Sequence, residues 1–158
     1  MRLALGTRSE STFDLDEPPR FEVVILYEDG PTGLRAKRFY DRLVYQLDDE
    51  CDFKLALWNF QVLGIPEFAN APEETAVEAD LLILSLHGKN ELPEQIRDWI
   101  EAWTGQIIDR SPALVALVDK TKAGAAMAAS TLAYLNNITK RAGIAFFGHA
   151  VFAPDLEQ

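Results

Sequence analysis

The sequence predicts an α/β fold, a three-layer doubly wound sheet of five parallel strands in the order 2-1-3-4-5. Three observations lead there. Short apolar, β-branched runs alternate with longer stretches whose apolar residues recur at helical spacing. The inner runs are apolar on both alternating faces, as in strands covered on both sides. The strand-helix alternation then requires right-handed crossovers, hence a parallel sheet with helices on its faces.

"FEVVILY" (Phe21 to Tyr27) reads as the first strand. "TGLRAKRFYDRLVYQL" follows as a helix with Ala36, Tyr40, Leu43 and Leu47 on one stripe. "FKLALW" (Phe53 to Trp58) is the second strand. A Pro-interrupted connection leads to a short Glu-rich helix in which Pro72 suits the first turn. "LLILSL" is the third strand, and "LPEQIRDWIEAWTG" places Leu92, Ile96, Trp99, Ile100 and Trp103 on one helix face that stops at Gly105. "ALVALV" (Ala113 to Val118) and "IAFFG" (Ile144 to Gly148) complete the sheet around an Ala-rich helix bearing Leu132, Leu135 and Ile138. The expected division is an arm over residues 1–20, one domain over 21–154 and a tail over 155–158. After the fifth strand, Pro154 and the few remaining residues leave no room for a final helix.

Composition narrows the function classes. The 158 residues suit a single domain, and 48% hydrophobic with 25% charged residues is an ordinary globular balance. A net charge of −10 argues against a nucleic-acid surface, which draws on clustered Lys and Arg. No apolar run approaches the ~20 residues that span a bilayer, and the opening residues lack a secretory h-region. A cytoplasmic protein is therefore expected. Cys51 is the single cysteine, so an internal disulfide and a cysteine metal cluster are both excluded. The basic run Arg35 to Arg38 reads as the wet face of a helix.

In an open parallel sheet, ligands and chemistry gather beyond the carboxyl ends of the strands. The candidate rim residues are Glu28 and Asp29 after the first strand, Ser85, His87 and Lys89 at or after the third, Asp119 after the fourth and His149 after the fifth. Glu28 and Asp29 together could hold Mg²⁺ weakly if a third oxygen arrived from a neighbouring strand. Ser85 and His87, two apart on a strand, share one face and could pair as nucleophile and base. Against that, the sequence lacks the G-x-S-x-G elbow, and a bonded hydroxyl at a strand end is the simpler reading.

In "VVILYEDG" followed by "LRAKRFYDRL", and in "EETAVEADLLILSL", the chain resembles the response-regulator receiver family over about Phe21 to Ala153. The resemblance implies that Glu28 and Asp29 match the paired acids that hold Mg²⁺, whereas Ser85 stands where the phosphoacceptor aspartate belongs. Leu117 and Val118 replace the family's Ser or Thr, and His149 lies where Lys-Pro is expected. It implies a signalling or interaction domain that has lost phosphotransfer, and not an enzyme. An alternative is a flavodoxin-like FMN-binding protein, with Thr32 and Gly33 cradling a phosphate and Trp58 stacking on a ring. Glu28 and Asp29 would repel that phosphate, and Pro31 has no N–H to donate. No cofactor is expected. The partner expected is a second copy, a homodimer covering a bare sheet face with help from Leu3, Leu5, Phe13 and Leu15 of the arm.

Overall fold

The computed structural model describes residues 19–47, 50–65, 76–107, 111–120 and 124–152. The arm before Pro19, the start of the Glu-rich helix at Pro72 and the tail over 155–158 lie outside those residues, while Ala76 and Val77 of that stretch are helical. The strands are β1 (Arg20–Tyr27), β2 (Asp52–Asn59), β3 (Leu81–His87), β4 (Ala113–Lys120) and β5 (Ala145–Phe152). They form one parallel sheet in the order β2-β1-β3-β4-β5, as the alternation of runs predicts. The helices that lie wholly within the described residues are α1 (Gly30–Leu47), α2 (Glu94–Gln106) and α3 (Ala125–Ala142), with a 3-10 turn at Phe60–Gly64.

Alternation along the strands divides the core in two. Val23, Ile25, Leu81, Ile83, Val115 and Leu117 face α1 and pack with Ala36 and Tyr40. Val24, Leu26, Leu82, Leu84, Leu114 and Ala116 face α2 and α3, where Ile96, Trp103 and Leu135 close the second layer. Burial of these side chains at ~25 cal/mol per Å² of apolar surface is the main favourable contribution to the fold. The Trp103 indole N–H donates to the Ala76 carbonyl at 2.9 Å, which ties α2 to the segment entering β3. α3 ends at Gly143, whose φ of 76° takes the left-handed conformation of a helix C-cap.

Two strands run two or more residues past their expected carboxyl ends. β4 continues through Asp119 and Lys120, and β5 continues past Gly148 to Phe152, so Asp119 and His149 are strand residues and do not follow their strands. Gly148 does not end its strand. A Cβ there would lie 3.1 Å from both Leu132 Cδ2 and Phe146 Cε2, so the glycine leaves space for side chains packed on the α3 side.

Candidate functional site

The carboxyl ends of β1, β3 and β4 converge on the first turns of α1. Asp29 immediately precedes that helix, and its Oδ1 accepts the Thr32 N–H at 3.1 Å. Thr32 Oγ1 returns the favour by accepting the N–H groups of Glu28 and Asp29 at 3.1 and 2.9 Å. This is a reciprocal cap with threonine in the place usually taken by Glu or Gln, and it fixes the turn between strand and helix. The Gly33 N–H donates to the Asp29 carbonyl at 2.8 Å. The N–H groups of Glu28, Asp29, Thr32 and Gly33 are thus all bonded to protein oxygens, those that a flavin phosphate would need among them.

Ser85 and His87 point to the α1 face, as their spacing predicts, but they do not form a nucleophile-base pair. The Ser85 hydroxyl is fully buried and donates to the Thr32 carbonyl at 2.8 Å. It accepts from Arg35 Nε and Nη2 at 3.2 and 3.0 Å. His87 instead bridges two carboxylates, with Nδ1 2.6 Å from Asp119 Oδ2 and Nε2 2.7 Å from Asp29 Oδ2. A neutral imidazole has one donor nitrogen, so two carboxylate partners call for the imidazolium. Burial pushes the His87 pKa down, but the hydrogen bonds and charges of Asp119 and Asp29 outweigh it and hold the pKa above its ordinary value. For Asp29, burial acts upward, and the Thr32 N–H together with His87 brings its pKa below the usual carboxylate value.

Arg35 corrects the expectation of a wet basic helix face. Its side chain is only 11% exposed. Nη2 donates to the carbonyls of Leu86 and Leu117 at 2.9 and 2.8 Å, and Nη1 lies 3.4 Å from Asp119 Oδ2. Burial lowers the Arg35 pKa, opposed by Asp119, Asp29 and Glu28. Asp119, 4% exposed at its side chain, also accepts the Gly88 N–H through Oδ1 at 3.1 Å. Gly88 permits that approach, because a Cβ would sit 2.4 Å from the Asp119 carbonyl oxygen. Glu28 Oε1 accepts the His87 N–H at 2.8 Å.

The structure therefore brings Glu28, Asp29, Ser85, His87 and Asp119 into one cluster and adds Thr32, Arg35 and Gly88. Lys89 is exposed in the turn after β3. His149 is exposed on β5 beside Phe39, with ring centroids 6.1 Å apart. Trp58 packs against the core on the α2 side. Among the described residues, no group of three or more His, Cys, Asp or Glu side chains is arranged to hold a metal ion. The signal for Arg35 was present in its position, three residues after Thr32 in the helical turns that border the strand ends.

No family model matches the chain, and no curated protein matches it. Among solved structures it is similar to the Trp repressor binding protein from Bacillus subtilis, at 10% identity and a TM-score of 0.48 over 82% of each chain. No helix in the described residues is long and apolar enough to cross a membrane.

Proposed function

We propose that the chain is a non-enzymatic signalling or protein-interaction domain, a receiver-like scaffold whose acidic rim is neutralised by its own cations. The observation that carries this reading is His87 lying between Asp29 and Asp119, with Arg35 on Ser85. Phosphoryl transfer to a rim of acids needs a bound metal and a carboxylate acceptor. Here the imidazolium and guanidinium supply the positive charge, and a buried serine bonded on both its donor and acceptor sides occupies the acceptor position. A hydrolase would need Ser85 exposed and a base on its hydroxyl, and an FMN site would need N–H groups open at the α1 turn. Neither arrangement is favoured by these contacts.

Incubation with acetyl phosphate or beryllofluoride and Mg²⁺, read by intact mass and by amide NMR, tests the reading. The expected outcome is no phosphoryl adduct and no saturable shifts at Glu28, Asp29 or Ser85. A stable adduct, or shifts centred on those residues, overturns it.

A further inference from the structure

On the sheet face opposite α1, a cleft of about 270 Å³ opens where the first turns of α2 meet the first half of α3. Leu92, just before α2, and Met127 of α3 give it apolar walls, while Arg97, Thr131 and Tyr134 bring polar groups to it. Two of those groups lack protein partners. Thr131 is 4% exposed, yet its hydroxyl hydrogen-bonds to no other described residue. A threonine within a helix ordinarily bonds back to the carbonyl one turn earlier, as Thr139 does to Leu135 at 2.7 Å. Thr131 makes no such bond, and its oxygen keeps its remaining accessible surface on the cleft.

Arg97 is partly buried and, among the described residues, has no carboxylate within ion-pair distance. Glu101, one turn further along α2, stands at the spacing for such a pair. Its Oε2 instead accepts the Tyr134 hydroxyl at 2.7 Å. Burial first, and then Glu101, raises the Tyr134 pKa, and Arg97 acts against both, so the guanidinium charge is felt at the phenol.

We infer that this cleft is a binding site for a small monocarboxylate with an apolar body, its carboxylate held by Arg97 and Thr131. The planar guanidinium matches a carboxylate through two parallel N–H donors, and the threonine hydroxyl supplies a third. The apolar body lies against Leu92 and Met127. Charge selects among anions. Glu91 lines the cleft and Glu101 sits on Tyr134 beside it, so one guanidinium balances a monoanion, whereas a phosphate dianion meets net repulsion. The volume lies just below the roughly 300 Å³ at which pockets for drug-sized ligands begin, which limits the occupant to a small molecule.

The test titrates the full chain with 3-phenylpropionate, followed by amide NMR, with 3-phenylpropanamide as a neutral counterpart of the same shape. The acid is expected to give saturable shifts at Leu92, Arg97, Met127 and Thr131, and the amide to bind at least about tenfold more weakly. Arg97→Gln is expected to weaken acid binding at least about tenfold, and Thr131→Val about threefold or more, both with an unchanged far-UV spectrum. An absence of saturable shifts up to about 10 mM acid overturns the inference. So do shifts centred outside the cleft, equal binding of acid and amide, or acid binding that either variant leaves unchanged. The comparison of acid with amide needs no variant and decides the matter even where a substitution disturbs a helix. None of these outcomes depends on whether the rim accepts a phosphoryl group.

Discussion

The carboxyl rim of β3 and β4 and the outer face of β5 lie on the same side of one sheet, yet they satisfy opposite conditions. At the rim, polar and charged groups are buried, and each finds partners inside the chain: Asp119 meets His87, Arg35 and Gly88, and Ser85 meets Arg35 and Thr32. On β5 an apolar ring stands in the open. At the rim the burial of polar groups is matched by partners within the chain, and on β5 no such requirement applies. A buried polar group left without a partner costs stability, whereas an exposed Phe costs little until something covers it.

The largest effect is expected at Asp119. Asp119→Ala leaves Arg35 and the His87 imidazolium without their buried counter-charge and is expected to destabilise the fold by about 3–5 kcal/mol, measured by urea unfolding. A loss below about 1 kcal/mol would show that the cluster is solvated in solution. Ser85→Ala removes an acceptor from Arg35 and a donor from the Thr32 carbonyl, and the expected cost is about 1–3 kcal/mol. An unchanged midpoint contradicts the buried hydroxyl geometry.

Proton linkage sharpens the same contrast. The pKa of His87 is raised in the folded state, so its contribution is fully present below the ordinary value of 6.5 and is lost as pH rises through the folded value. The pKa of Asp29 is lowered, so its contribution is present above 3.8 and is lost as pH falls through the folded value. Stability from this pair is therefore greatest between those two ordinary values and declines on both sides. Urea midpoints across pH read this directly, and His87→Gln is expected to flatten the alkaline limb. Smallest of all is Phe147→Ser, expected within about 0.5 kcal/mol of the parent because the ring is already exposed.

The sheet was legible because strand runs and helical stripes are local patterns, and five of them in alternation leave few topologies. Ser85 and His87 were legible as same-face neighbours for the same reason. Arg35 was not. Local periodicity places it at the edge of a helix stripe, but Ser85, Leu86 and Leu117, which make its burial tolerable, are 50, 51 and 82 residues away. The apolar run of the fourth strand stops at Val118, which leaves Asp119 beyond it by sequence, and the burial of this carboxylate within β4 depends on two cations from other elements. Gly148 suggested a strand end because glycine usually marks one, and the Leu132 and Phe146 side chains packed beside it explain why the strand continues.

The long separations within the Arg35 contacts also bear on kinetics. The guanidinium belongs to the first helix, but it can reach the Leu86 and Leu117 carbonyls only after β3 and β4 have both joined β1. Closing such loops is slow, and contacts that depend on their closure form late. Weakening this guanidinium anchor should therefore leave the refolding limb of a chevron almost unmoved and raise the unfolding limb. The anchor then governs how long a folded molecule lasts more than how fast it forms.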